Sequence, residues 1–493
     1  MKSARPLMSW GAFVLGIILM IVAIVVVASD RGSGYPPDAQ IRPDLTPVSR
    51  LEPAPPDEAH VSYAPSVPPA ITRDDQRSFD VHLEILEGVC PLDPAAGVST
   101  EMWGYRIAGD TTISCGSPGP VVRGRVGDVV SITLTNLTTN MHPHNIDFHA
   151  VTGQGGGAKD LTVNPGETAT IRIRLLYPGA FMYHCAYGDV PAHIAHGMYG
   201  MFIVDPESPL PPVDHEWAVM QSEWYVGEPD ANGLAPYDPG SLLIEEPRYV
   251  TFNGRTDALS GENTLRMVVG ERARIFMVNE GLNLDSNFHP IGSHWDTVYP
   301  EGATHRANDP IRGSQSTLVV AGGGTVVELD ALVPSTIILV DHALVRTFYK
   351  GAIGTIVVDG GIGPELYVVM RPASATDGEG ATGTTTTIPA VEVGAEVVIP
   401  VGAFNPANSD RAYEPLDVTV PAGTTVRWTN EDTVAHTVTS GVSDGSSGSD
   451  DGRFDSGFLD QGGTFTFTFD EPGVYPYFCI PHPWMRGSVT VTG

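Results

Sequence analysis

Cys185 is followed by His193 and Met198, and His144 lies upstream of all three. One thiolate, two imidazoles and a weak thioether are the donors of a type 1 copper electron-transfer site. Soft sulfur stabilises Cu(I), imidazole suits both oxidation states, and a long axial thioether keeps the geometry between their preferences. His196 competes with His193 for its place, and Met201 with Met198, because spacing alone excludes neither. A second set stands near the C-terminus: His436, then Cys479, His482 and Met485, with two residues between successive donors of the loop.

Strand geometry supplies a third set. Alternate residues of a strand point to opposite faces. His144 therefore faces away from Asp147 and His149, and Cys185 faces away from its neighbour His184. If His144 and Cys185 meet inside a sandwich, then His149 and His184 meet outside it, beside the Asp147 carboxylate. Adjacent residues then wire the two sites together. Two imidazoles need at least one more ligand to hold copper tightly.

The elements that must position these residues recur three times. Gly127 to Asn136, Gly270 to Asn279 and Gly423 to Asn430 each read as a glycine, an alternating run and an asparagine. A later strand of each copy ends on Tyr183-His184-Cys185, on Asp341-His342-Ala343 and on Phe478-Cys479. A last strand closes each copy, at Gly200 to Asp205, Gly354 to Asp359 and Gly487 to Val491. Repeats this long are whole domains rather than solenoid units. His342 fills the slot of His184 while Ala343 replaces the cysteine, so the middle copy has lost the inward set and kept the outward histidine. The third copy is the reverse, with Cys479 kept and Phe478 outward. His149, His184 and His342 thus make a candidate three-histidine site with an open position, which is what a catalytic metal requires.

Composition agrees with this organisation. Among 493 residues, 55 Gly and 42 Pro interrupt short alternating segments, which predicts an all-β chain of two to four domains. A net charge of −31 argues against nucleic-acid binding and gives a well-solvated surface. Leu7 to Ala28 is apolar for 22 residues and follows Lys2 and Arg5, long enough to span a bilayer with the remainder outside the cytoplasm. We expect residues 1–29 to be an uncleaved single-pass helix on the extracytoplasmic side of the membrane. Cleavage would instead leave a secreted or periplasmic protein. Residues 30–74 are rich in Pro and read as an extended tether, and residues 370–390 as a Gly/Thr linker. That leaves domains at 75–206, 207–369 and 391–493. The first two, with no comparable break between them, are expected to pack as one unit. Cys90 and Cys115 lie outside the metal-type contexts, and a disulfide between them is expected in an oxidising compartment, with two free thiols as the alternative.

Residues from about 75 to 360 resemble the copper-containing nitrite reductases, trimeric enzymes built from two cupredoxin domains. The matching motifs are Pro143-His144-Asn145-Ile146-Asp147-Phe148-His149, Tyr183-His184-Cys185-Ala186 and the run from Pro191 through His193 and His196 to Met198. In the second domain they are the run from His289 to His294 and Asp341-His342-Ala343. The resemblance implies three tandem Greek-key cupredoxin sandwiches in all, because residues 391–493 are similar to amicyanin, a small blue copper protein, in the loop from Cys479 to Gly487. It implies a type 1 copper on His144, Cys185, His193 and Met198 and another on His436, Cys479, His482 and Met485. It implies a type 2 copper on His149 and His184 of one chain and His342 of the next, three coppers per chain in total. Asp147 and His294 match the family's proton-handling pair, a dissimilatory role in denitrification follows, and nitrite is the implied substrate. Electrons from an unidentified donor would reach the Cys479 centre, then the Cys185 centre, then the catalytic copper. Two departures stand out: Ala192 where relatives often carry Trp, and Ser293-His294-Trp295 where they often carry Gly-His-Gly.

Two other functions compete. A multicopper oxidase needs eight histidines around a trinuclear cluster, including His-Cys-His, and Ala186 follows Cys185 here. A membrane-tethered copper electron carrier would account for both thiolate sets but leaves Asp147, His149, His184, His294 and His342 without a purpose.

Overall fold

The computed structural model describes residues 42–361, 366, 393–432, 434–459 and 461–493. The expected anchor at 1–29 and the linker at 370–390 lie outside the described residues. Among the described residues no helix is long and apolar enough to cross a membrane.

Six sheets pair into three β-sandwiches. In the first, strands Arg77–Asp93, Val98–Ile107, Val129–Asn136 and Thr168–Arg174 face strands Val121–Arg125, Gly179–His184, Tyr199–Asp205 and Asp147–Phe148. The second packs the sheet around Arg272–Asn279 and Gly324–Asp330 on the sheet around Ser286–Ile291, Ser335–Asp341 and Ile353–Asp359. The third packs Ala395–Ile399, Thr424–Asn430 and Thr464–Phe469 on the sheet around Gly473–Phe478 and Arg486–Thr492. Period-2 sequence makes these faces. In Thr464–Phe469 every threonine is exposed and every phenylalanine turns inward.

The two signature residues of each repeat have matching structural jobs. Gly127, Gly270 and Gly423 turn the chain into the strand at φ of 86°, 98° and 83°, a left-handed conformation that favours glycine. Asn136, Asn279 and Asn430 are fully buried and clip the following loop to a neighbouring segment. Their side-chain amides donate to the carbonyls of His142 and Val163, of Leu284 and Val319, and of Val434 and Leu459. That loop carries His144 in the first copy and His436 in the third.

The first two sandwiches share a core. Met182, Tyr199 and Met201 of one interleave with Met220, Phe276 and Val326 of the other, and each fully buried side chain of this size contributes roughly 1.5–3 kcal/mol. The buried Arg123 crosses the junction, 2.8 Å from Asp205 and 2.5 Å from Glu216. Arg274 extends the chain of charges from Glu216 to Glu328. Each charge there has a partner, which offsets the cost of its desolvation.

The segment expected to be an extended tether is packed over its described part. Glu52–Pro53 pairs with Arg77 and Ser78, and Val61–Ser62 pairs with Val121 and Val122. Ile71 is buried and Arg73 bonds Asp128. Prolines break periodicity without preventing short edge strands from docking.

Candidate metal centres

Four elements bring the first buried set together. Asn136 holds the loop of His144, and Cys185 lies one residue past strand Gly179–His184. His193 rides on the short helix Val190–Ala195, and Met198 immediately precedes strand Tyr199–Asp205. His144 Nδ1 lies 3.1 Å from His193 Nδ1 and 3.9 Å from Cys185 Sγ, and His193 Nδ1 is 3.3 Å from that sulfur. Met198 is fully buried, its carbonyl accepting from Cys185 N and its own N–H donating to the His193 carbonyl. Asn145 fastens the far side by accepting from Ala186 N at 2.7 Å.

The C-terminal set repeats these dimensions. His436 Nδ1 lies 3.1 Å from His482 Nδ1 and 3.7 Å from Cys479 Sγ, and His482 Nδ1 is 3.4 Å from that sulfur. Met485 is fully buried and its carbonyl accepts from Cys479 N. Thr437 takes the part of Asn145, accepting from Ile480 N at 2.8 Å.

These sets fit a soft or borderline metal ion. Nitrogen and sulfur donors about 2.0–2.3 Å from one ion at tetrahedral angles stand about 3.3–3.8 Å apart, close to the spacings in both sets. Burial, with the neighbouring histidines, lowers the His193 pKa to about 4. Burial and His436 do the same to His482, also to about 4. Both shifts favour the neutral ring, whose lone pair a metal ligand requires. Burial raises both thiols, Cys479 to about 11. A metal cation takes the place of that proton when it binds.

The histidines that competed in the sequence separate cleanly. His196 stacks on Trp103 with ring centroids 4.0 Å apart, and its Nδ1 faces the Ala192 carbonyl. Met201 lies in the core between the first two sandwiches. Trp103 also meets the edges of His144 and His193, so it covers the set from strand Val98–Ile107, whereas Ala192 lies on the helix Val190–Ala195.

Outside the sandwich, His149 Nε2 and His184 Nε2 are 3.2 Å apart, and Asp147 joins them within one cluster. Cys185 is buried and His184 is not, as strand parity requires. Gly156 makes room for the carboxylate: at φ +53° it has no side chain, and a Cβ there would stand 1.8 Å from Asp147 Oδ1. Although His149 is exposed at its edge, desolvation by its neighbours and the adjacent His184 lower its pKa, which favours the neutral ring.

The second sandwich holds an equivalent pair. Asp147 faces His184 and Phe148 faces Tyr183 across the first pair of strands. In the second sandwich Phe288 faces Asp341, and His342 N donates to the Asn287 carbonyl. His289 is therefore the counterpart of His149. Its ring lies 5.1 Å from His342, against 5.2 Å between His149 and His184. His294, expected as the second proton-handling residue, sits exposed in the loop before strand Trp295–Tyr299, and the ring packed on His342 is that of His289. The repeat in the sequence carries the same correspondence, Phe148-His149 aligning with Phe288-His289. Within one chain His342 is not part of the Asp147–His149–His184 cluster. In the third sandwich the outward slot is closed, because the ring of Phe478 packs where a Cβ on Gly448 would be.

Cys90 and Cys115 are joined in a disulfide, and Cys185 and Cys479 are free thiols.

Residues 92–208 match the family described as multicopper oxidase, and residues 403–492 match copper binding proteins of the plastocyanin/azurin family. The copper-containing nitrite reductase of Neisseria meningitidis serogroup A is 41% identical over 325 residues, which are 66% of this chain and 81% of that protein. The chain belongs to the copper-containing nitrite reductases. The family's Neisseria gonorrhoeae member is 40% identical over 325 residues, covering 66% of this chain and 79% of that one. A solved copper nitrite reductase from Nitrosomonas europaea shares 32% identity and a TM-score of 0.50, over 59% of this chain and 96% of that one. Copper is the cofactor that this nitrite reductase fold and its thiolate–imidazole sets call for.

Proposed function

We propose that this chain reduces nitrite to nitric oxide, NO2− + 2 H+ + e− → NO + H2O, at a site divided between two copies of itself. The observation that carries the reading is the pair of matched, outward imidazole couples. His149 and His184 stand beside a carboxylate on the first sandwich, and His289 and His342 stand on the second. Neither couple alone gives the three ligands a tightly held copper needs. His149 and His184 of one copy with His342 of the next complete the set in a closed ring, a homotrimer as in the family.

Copper held there supplies a one-electron couple and a Lewis-acidic position for nitrite. The chain's own groups supply the rest. Asp147, on the strand face of His149, is placed to hold a proton against a nitrite oxygen. His294 of the neighbouring copy is the second group to carry one, with the His289 ring beside His342 as the other imidazole nearby, and the reaction consumes two. The lowered pKa of His149 favours its neutral form, which suits it to ligation. Cys185 and His184 are consecutive, so a single peptide unit links the buried donor set to the outward one.

The sets on Cys185 and Cys479 serve in this reading as type 1 copper centres that relay electrons from a donor protein, the C-terminal sandwich acting as a fused carrier. The apolar segment at 7–28 holds the enzyme at the extracytoplasmic face of the membrane. Copper quantitation, electron paramagnetic resonance and a nitrite-to-nitric-oxide assay test the whole. We expect three coppers per chain, two type 1 and one type 2, with nitric oxide as product. A single thiolate centre, a trinuclear signal or an absence of nitric oxide would refute it.

A further inference from the structure

The first histidine of each buried set is held from behind by a carboxylate. His144 Nε2 lies 3.0 Å from Glu87 Oε1, and His436 Nε2 lies 2.9 Å from Asp432 Oδ2. The Glu87 side chain is 8% exposed and that of Asp432 is 0% exposed. The two acids come from unrelated places. Glu87 is on strand Arg77–Asp93, 57 residues before its histidine, whereas Asp432 is four residues before His436. Two copies of one fold have reached the same contact by different routes, so the contact is a feature of the site rather than of a shared sequence stretch.

Glu87 also organises the loop. It accepts from Met141 N at 3.1 Å, His142 N at 2.9 Å and His142 Nδ1 at 3.1 Å. The backbone N–H groups of Met141 and His142 both point at it, and such donors favour the ionised carboxylate. An ionised carboxylate on Nε2 requires the hydrogen there. That leaves the Nδ1 lone pair, which faces Cys185 and His193, free for a metal.

We propose that Glu87 is a positioning residue that fixes the His144 tautomer and, through its charge, lowers the reduction potential of the centre on Cys185, as Asp432 does for the centre on Cys479. The inference rests on reading these two sets as copper centres. The negative charge favours the cupric over the cuprous state, which carries one positive charge fewer. Charge-assisted hydrogen bonds are about twice as strong as neutral ones, so the neutral amide retains the shape of the contact and loses most of this bias. We expect Glu87→Gln to favour reduction roughly tenfold, which is ~59 mV for one electron.

The test is a potentiometric titration of the full, copper-loaded chain, followed by thiolate absorption. Glu87→Gln is measured in a Cys479→Ser background, so that one coloured centre remains, and Asp432→Asn in a Cys185→Ser background. The potential should rise in each, and Glu87→Asp should restore it toward the parent value. An unmoved potential in a variant that keeps its colour would overturn the proposal for that carboxylate. Should Glu87→Gln lose its colour while Glu87→Asp keeps it, the positioning role stands. Should both lose it, Asp432→Asn decides the charge effect. A parent chain with no thiolate colour would instead sink the copper reading, a failure distinct from that of the carboxylates.

Discussion

Mixing two inactive chains should restore activity to a calculable extent. His149→Ala removes a ligand from the first-sandwich couple and leaves His342 intact; His342→Ala does the reverse. Alone, each variant lacks one ligand at every site and should be inactive. In a closed ring each site joins the first sandwich of one copy to the second sandwich of its neighbour. An intact site therefore needs a His342→Ala copy to supply His149 and a His149→Ala copy as the neighbour that supplies His342. Random assembly of an equal mixture meets that condition at about one site in four, whatever the ring size, so about a quarter of parental turnover should return. The assay is nitric oxide release after the variants are co-expressed, or dissociated and reassembled together. The thiolate absorption of both serves as the control for folding, because neither change touches the Cys185 or Cys479 sets. Zero recovery with proven mixed oligomers would place the whole site in one chain and refute the division.

Four further outcomes follow. Asp147→Asn and His294→Ala should each retain copper and lose ~10²–10⁴-fold in turnover, the usual contribution of general acid catalysis. In the same assay His289→Ala should cost less, and a larger loss there would give the second proton to His289 instead. Cys479→Ser should remove about half of the thiolate absorption, since two similar sets contribute to it; an unchanged spectrum would deny the C-terminal set its copper. Removing residues 393–493 should spare turnover with small reductants and slow it with a protein donor, and equal rates with every donor would show that the third sandwich is not the entry point. Glu280→Gln should change how stability depends on pH. Glu280 is buried, neither of its carboxylate oxygens has a hydrogen-bond partner among the described residues, and burial raises its pKa well above 4.5. A raised folded-state pKa gives stability below the unfolded value that is lost as pH climbs toward the folded one, at ~1.4 kcal/mol per unit. In urea unfolding the amide variant should therefore gain on the parent between pH 5 and pH 8, and a constant difference would show that Glu280 ionises without penalty.

What was legible in the sequence divides along physical lines. Period-2 alternation and the glycine–asparagine repeats predict the sandwiches because they encode turns and clips that act locally. The Cys-to-Met spacings locate both buried sets because each loop brings its own donors together. Strand parity separates His184 from Cys185 without any knowledge of packing. The packing of His289 on His342 was not legible, because only the pairing register with strand Ser335–Asp341 decides which ring reaches His342. Glu87 was equally invisible. It lies 57 residues from His144 and is joined to it only through the sheet. By contrast Asp432 shares a loop with His436, yet a carboxylate four residues from a histidine carries no signal until the loop geometry is known.

The three copies also show how one fold separates two tasks. The first has donors on both faces of the strand that ends at His184. The second has Leu284 and Ala343 where donors stood inward, and keeps His289 and His342 outward. The third keeps the inward set and closes its outward slot with Phe478. Inward and outward faces can vary separately because parity isolates them, while the single peptide unit between Cys185 and His184 links them only in the first copy. The two outward couples are not interchangeable. At the register position of Asp147 the second sandwich has Asn287, so the carboxylate comes only with the first couple. A site made from two first-type couples would crowd two carboxylates beside one anion, and one made from two second-type couples would have none. Joining one of each gives a single acid, a nearby imidazole and enough ligands, which is the combination that a two-proton, one-electron reduction of an anion requires.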